Sequence, residues 1–536
     1  MNTLGVLLVA GAMIVSMVRV LSIREQLFDP DKTIIRICHW QLELGYRQAL
    51  QNVIEEYEKL HPGVVIKQMP VTEKIYGQWL NTHLISGTAP DIAEMGMAKL
   101  ASDTQYLARF FLPLTELIDQ PNPYNAETEM ADWPWRETFI DGMRGGYRVE
   151  LQDTFSAPTN VHTSRIYYNR DLLRQITGSD AAPQTMGKLL AMCDRIREYA
   201  RETGLGDRMI PIASSRYNTP QLLNRYRVPF TAALEAELDL DLDGVITDWE
   251  GYTAFVEGKV SYAHPNIRAF YECTRVLSDQ FNPGFMSMGR EDSTFMFIQQ
   301  NAVMVCTGSW DSMSLFAQAE FDVGVFGFPL PAPGERWGEL VAGRLNEATT
   351  AGSGLYGICK QSRHAEKAID FLRFLTSRKQ NEAFSRGASW LPVTVGARPS
   401  EPMVPFMPDP IGFASGCRLS YGSLSGTVLG GQEWKYFSGE IEYDELAQNV
   451  EEALRDPRRG GDKAWAEEYD SVKRWCRNQD RVLAVQSIRV FTSPEARDAP
   501  IKYRQALLQQ VRRHNGGELR HRFENLRKKP IDSLVD

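Results

Sequence analysis

Two α/β lobes, each a mainly parallel sheet flanked by helices and joined by several hinge crossings, are the architecture that this 536-residue sequence predicts. Three observations carry the expectation. Short apolar runs alternate with amphipathic segments from residue 34 to residue 95, the pattern of a β-α-β-α-β start and hence of a parallel sheet. An extended stretch at residues 154–169, TFSAPTNVHTSRIYYN, interrupts that alternation, which then begins again. The chain is also too long for one ordinary domain. Two lobes joined by extended crossovers would leave a cleft between them, and clefts of that kind are favoured ligand sites.

The elements follow in order. Residues 4–18 form an uninterrupted run of apolar and small residues, followed by Arg19 and Arg24. Its length is that of a signal-peptide core and short for a membrane span. No positive charge precedes it and no A-x-A site stands near its end, so residues 1–28 read as a signal peptide or an uncleaved signal anchor. Either reading predicts export to a periplasmic or extracytoplasmic location. Residues 34–38 then read as a buried strand and 43–60 as a helix, with Leu50, Val53, Ile54, Tyr57 and Leu60 at helical spacing until His61-Pro62-Gly63 stops it. Residues 64–69 are the next strand, 73–85 the next helix and 91–95 the third strand. In the central stretch Pro158 bars a helix, three threonines favour extended backbone, and residues 166–168 carry a β-branched and aromatic strand signal. The C-terminal part reads as a helix over 440–454, a break at 456–461, and charged helical segments over 464–485 and 500–527. Residues 501–536 carry nine Lys or Arg against four Asp or Glu, which a solvated helical face explains.

Composition removes some functions. A net charge of −9 argues against a general nucleic-acid binder, which needs a basic face to neutralise phosphates. The seven cysteines, at 38, 193, 273, 306, 359, 417 and 476, never fall in C-x-x-C spacing, so no metal or redox motif follows from them. They read as small hydrophobes. None closely follows the N-terminal apolar run, which argues against a lipid-modified cysteine.

The order HPGVVI, then YGQWLNTHLISGTAPDIAEM, followed by RIYYNRDLL at 165–173, FIQQNAVMVCTGSW at 297–310, GSGLYGICK at 352–360, AEKAIDFLRFLTS at 365–377 and Leu391-Pro392-Val393, resembles the family 1 extracellular solute-binding proteins, the maltose-binding-protein-like group. The resemblance covers roughly residues 31–455. It implies a type II-like periplasmic-binding-protein fold, with residues 31–155 and 357–389 in an N-terminal lobe, 160–348 and 397–455 in a C-terminal lobe, and 456–536 as an extension. Crossings are expected near 156–160, 349–357 and 390–396. The implied function is to bind a sugar or oligosaccharide in the cleft and present it to an ABC permease in the membrane, as a monomer, without a required cofactor. Closure on the ligand would be the signal.

A sugar offers apolar C–H faces ringed by hydroxyls, so its site needs aromatic platforms together with carboxylates and amides. Trp40 follows the first strand with Glu43 a turn later, and Asp91 and Glu94 flank the third strand; the carboxyl ends of parallel strands face the ligand crevice in open α/β sheets. Packing of Trp40, a solvated helix start at Glu43 and a turn-ordering role for Asp91 are the structural alternatives. The family pattern implies Trp310, on the turn after Gly308-Ser309, as the foremost aromatic platform. Trp390 is a second candidate, and Ser353 and Tyr356 on the glycine-rich crossing offer polar contacts.

Independently, DLDLDGVITDWE at 239–250 fits the calcium loop D-x-[DN]-x-[DN]-G-x5-E. Asp239, Asp241, Asp243, Thr247 and Glu250 would supply side-chain oxygens and Val245 a carbonyl to a structural Ca2+. The competing reading is a half-buried strand of alternating Leu and Asp turning at Asp243-Gly244. Two further functions stand against the binding reading: a membrane-anchored sensor or scaffold, and a carbohydrate-active enzyme using Asp91 and Glu94 as acid and base. Residues three apart on a strand point to opposite faces, which disfavours the enzyme.

Overall fold

A computed structural model describes residues 32–42, 45–95, 104–148, 153–240, 246–350 and 352–493, with isolated positions between 503 and 525. The apolar run at 1–28, Glu43, and nearly all of the helix expected over 500–527 lie outside the described residues. No helix among the described residues is long and apolar enough to cross a membrane.

The chain divides into two compact units, unit 1 with Met1–Val161 and Gly352–Ser400, and unit 2 with His162–Ala351 and Glu401–Asp536. The first change of unit falls inside the extended 154–169 stretch. The third falls a few residues beyond the 390–396 span that the sequence suggests. The principal strands are β1 (Thr33–His39), β2 (Val64–Pro70), β3 (Ile92–Glu94), β4 (Asn160–Val161), β5 (Ser164–Asn169), β6 (Ile210–Ala213), β7 (Ala302–Gly308), β8 (Val323–Phe326), β9 (Gly352–Ser353) and β10 (Tyr356–Ile358).

In unit 1 the sheet order is β10-β3-β1-β2. Strand β1 pairs parallel with both β2 and β3, and β10 adds an antiparallel edge. Apolar residues face both ways from β1 because helices cover the sheet: Ile35, Ile37 and Cys38 are fully buried. Helix Tyr46–Leu60 buries Leu50, Val53, Ile54 and Tyr57, as its 3.6-residue spacing requires. It starts from Gly45, whose φ of 88° and whose closeness to the Gly387 carbonyl leave no room for a side chain. The opposite sheet face and helix Glu73–Ser86 share a second cluster, including Tyr76, Leu80, Leu84 and Phe111.

Unit 2 has the order β8-β5-β7-β6. Only β6 and β7 run parallel; β5 is antiparallel to both β7 and β8. The expectation of a mainly parallel sheet is therefore corrected for this unit. A buried apolar run reads the same in either direction, so the pattern identifies the strand and is silent on its polarity. Beyond residue 455, the first turns of helix Gly461–Thr492 belong to the unit's core and are no mere appendage. Trp465 is 1% exposed and packs 6.0 Å from Trp249, and Tyr252 donates to Asp462 at 3.0 Å. All six described cysteines are buried and free, and burial pushes the thiols of Cys38, Cys193, Cys273, Cys306 and Cys417 up to about 12.

Candidate functional site

In unit 1 the carboxyl ends of the parallel strands β1 and β3 bring Trp40, Gln41 and Glu94 together. Glu94 is fully buried; its Oε2 accepts the Trp40 backbone N–H at 3.3 Å and its Oε1 accepts the Gln41 side-chain amide at 2.5 Å. Trp40 stands half-buried, edge-on to Tyr76 at 5.0 Å and packed against the cluster that includes it. Tyr76 in turn donates to the Glu94 carbonyl at 2.7 Å. The result is an aromatic ring held at a sheet edge beside an amide and a carboxylate, groups suited to a hydroxylated ring.

Asp91 does not join them. It sits at the amino end of β3, where Oδ2 accepts the Arg36 N–H at 2.8 Å and Oδ1 accepts from Ser362 at 2.7 Å. It stands just before β3 and Glu94 ends that strand, so the two carboxylates lie at opposite ends of it, and the Asp91 hydrogen bonds are those of a residue that orders the turn. Tyr356 and Trp390 both pack on Tyr46. The Tyr46 and Tyr356 hydroxyls are 2.6 Å apart, and the Trp390 ring lies 4.8 Å from that of Tyr46. Tyr356 is fully buried and Trp390 is 4% exposed, so neither the tyrosine hydroxyl expected to offer a polar contact nor the second candidate platform is open to solvent. Ser353 lies in β9, which pairs antiparallel with β4, and its carbonyl accepts the Thr159 N–H at 3.1 Å.

In unit 2 the carboxyl ends of β6 and β7 share an edge with the start of β5. Strand β7 ends at Gly308 and turns through a short 3-10 helix, Ser309–Asp311, that carries Trp310. The turn is pinned from both sides: Ser309 N–H donates to the Thr163 carbonyl at 2.8 Å, and Asp311 accepts from Thr307 at 2.5 Å and from both Nε and Nη2 of Arg290. Trp310 is half-buried, with the His162 ring edge-on at 5.4 Å and, among the described residues, no hydrogen-bond partner for its Nε1. Desolvation pushes the His162 imidazole down to about 4, so the ring beside Trp310 is neutral at physiological pH. At the end of β6 the same edge presents exposed Arg216 and Tyr217, the first 5.2 Å over the Trp434 ring and the second 5.2 Å from the Arg290 guanidinium. Gln41, His162 and Tyr217 were not singled out from the sequence. The signal that finds Gln41 and Tyr217 is position, in the connections that follow His39 at the end of β1 and Ala213 at the end of β6.

Of the proposed calcium ligands, Asp241, Asp243 and Val245 lie outside the described residues. Asp239 follows helix Glu235–Leu238, and Thr247 caps helix Asp248–Val256. Leu238 and Thr247 are thus helix termini, and the half-buried strand expected in the hairpin reading is absent at both. Glu250 is fully buried; Oε2 accepts from the Thr247 N–H and hydroxyl at 2.8 and 2.7 Å, and Oε1 accepts the Leu240 N–H at 2.7 Å. Among the described residues, no group of three His, Cys, Asp or Glu side chains is placed to hold a metal ion.

With these edges described, comparison with known proteins is informative. The model of the bacterial extracellular solute-binding protein family matches residues 52–405. The chain belongs to this family. A relative from Pyrococcus horikoshii, an uncharacterized ABC transporter extracellular-binding protein, is 21% identical over 320 residues, covering 57% of this chain and 63% of the relative. This chain therefore spans less than two thirds of that relative's length. Among solved structures, a chitin oligosaccharide binding protein superposes with a TM-score of 0.52 at 16% identity, covering 78% of this chain and 97% of its own. The GacH receptor of Streptomyces glaucescens, solved unliganded and with acarbose, gives 0.51 at 18% identity, covering 79% and 98%. At such identities the likeness is one of fold, and it supports the two-lobed α/β class of this solute-binding protein. The family and these structural relatives are binding proteins rather than enzymes.

Proposed function

We propose that the protein is the exported, monomeric solute receptor of an ABC importer and that it binds a sugar or oligosaccharide, which it presents to the membrane permease. The observation that carries the sugar class is the partly exposed tryptophan that each unit holds at the carboxyl end of its parallel strands, Trp40 in unit 1 and Trp310 in unit 2, each with polar groups beside it. Stacking on a pyranose face needs such a ring, and a buried indole would not provide it. Of two proteins of the same fold, one is named for a chitin oligosaccharide and the other was solved with acarbose, which agrees with this reading. Glu94, fully buried, would hold the Trp40 backbone and the Gln41 amide in place beside the ligand, and Asp91, Tyr356 and Trp390 would serve the frame.

The test is a thermal-shift screen of the chain without residues 1–28 against mono- and oligosaccharides, because a ligand that binds only the folded state raises Tm. A sugar that raises Tm is expected. Folded protein that answers to another solute class and to no sugar would keep the receptor and overturn the ligand. Helix Glu235–Leu238 before the segment and helix Asp248–Val256, which contains Glu250, favour the calcium loop over the hairpin, and we propose a structural Ca2+ there, held once Glu250 exchanges its N–H partners for the ion.

A further inference from the structure

A cavity of about 530 Å3 lies wholly within unit 2, where β8 ends and β5 begins. The half-buried rings of Phe326 and Phe328 border it, and its charged groups are Arg165, Arg225, Arg344, Glu347 and Asp409. Most of that charge is already matched. Arg165, 6% exposed, donates Nη1 and Nη2 to the two oxygens of Glu347 at 2.8 and 2.9 Å, and its other donors meet the carbonyls of Ser164, Pro405 and Met407. Arg344 stands on the rim, 3.4 Å from Asp409.

Arg225 is what remains. Its Nη2 donates to Ser164 Oγ at 3.0 Å, Phe328 lies 6.0 Å from its guanidinium carbon, and it makes no ion pair among the described residues. Burial pushes its guanidinium below the usual value, and the nearby Glu347 charge opposes that without pairing. Three arginines against two carboxylates leave the cavity with one positive charge. A monoanion balances it; a dianion would meet Glu347 and Asp409 with an excess of negative charge. A planar carboxylate also suits a guanidinium fork that still has N–H groups to give.

We propose that this cavity binds the carboxylate of a sugar acid, with Arg225 taking the carboxylate oxygens and Phe326 and Phe328 bordering the pyranose ring. Neither Trp40 nor Trp310 lines this cavity, so it is a site additional to theirs; that its ligand is a sugar rests on the receptor reading above, and the preference for an acid rests on the cavity alone. The test is calorimetry on the folded chain with D-glucuronate and D-galacturonate, their methyl esters, glucose, galactose and glucose 6-phosphate. Each uronate should bind at least about tenfold tighter than its ester, its neutral parent and the dianionic phosphate, and Arg225→Gln should weaken uronate binding by about tenfold or more, the loss expected for a charged hydrogen bond. Equal binding of acid and ester, tighter binding of the phosphate, or uronate affinity unchanged by Arg225→Gln would overturn the proposal. Should Arg225→Gln fail to fold, the acid-against-ester comparison decides on the wild-type chain. Binding of neutral oligosaccharides with no response to uronates overturns the acid site and leaves the receptor standing, whereas no binding of any sugar overturns both.

Discussion

The indole of Trp310 lies against the Cα of Gly308, in the space that a side chain at position 308 would fill. The glycine is needed for packing and not for its dihedrals, since its φ of −81° suits any residue. Gly308→Ala should displace the ring and destabilise unit 2 by about 1–3 kcal/mol through overpacking. Urea denaturation measures this, and the double variant Gly308→Ala/Trp310→Ala should recover most of the loss. A penalty of the same size in the double variant would place its cause elsewhere.

The Arg165–Glu347 pair is buried, bidentate and surrounded by carbonyl acceptors. Removing one partner leaves a charge without compensation, and about 3–5 kcal/mol is the expected cost of Arg165→Met or of Glu347→Met alone. Replacing both should cost much less than the sum of the two. Chemical denaturation of the three variants checks it; additive losses would show that the pair acts as two independent groups.

His39 ends β1 and is fully buried. Burial pushes its imidazole from 6.5 down to about 4, against the opposing hydrogen bond to Gln68 Oε1 at 3.3 Å. As pH falls through about 6.5 the unfolded chain takes up a proton that the folded chain refuses until about 4. Its contribution is therefore present above the unfolded value and lost across that window, on the order of 3 kcal/mol in all. His39→Gln should flatten the fall of Tm between about pH 7 and pH 4. A slope unchanged from wild type would contradict the assignment.

Calcium should raise the Tm of metal-stripped protein, and Glu250→Gln should abolish the rise by removing the bidentate ligand. No calorimetric heat on adding Ca2+ to the stripped wild-type chain would leave residues 239–250 as a capped interhelical loop.

The first five elements of unit 1 were legible in the sequence because each carries one unmixed signal, such as the helical spacing of Leu50, Val53, Ile54 and Tyr57. The place of Trp310 on a turn was legible too, since it follows Gly308 and Ser309 at the end of a buried strand. Strand direction in unit 2 was not, because it depends on which strand β5 joins after entering the unit. The status of Asp91, Tyr356 and Trp390 also stayed hidden. It is set by Arg36, Ser362 and Tyr46, partners distant in the chain, and no local pattern announces them.

The central claim is that the partly exposed tryptophans at the strand ends hold a sugar. Calorimetry of the best saccharide from the screen against wild type, Trp40→Ala and Trp310→Ala tests it most directly. Each variant should stay folded and lose at least about tenfold in affinity, as the loss of a stacked ring implies. Unchanged affinity in both variants, with the sugar still bound, would contradict the account.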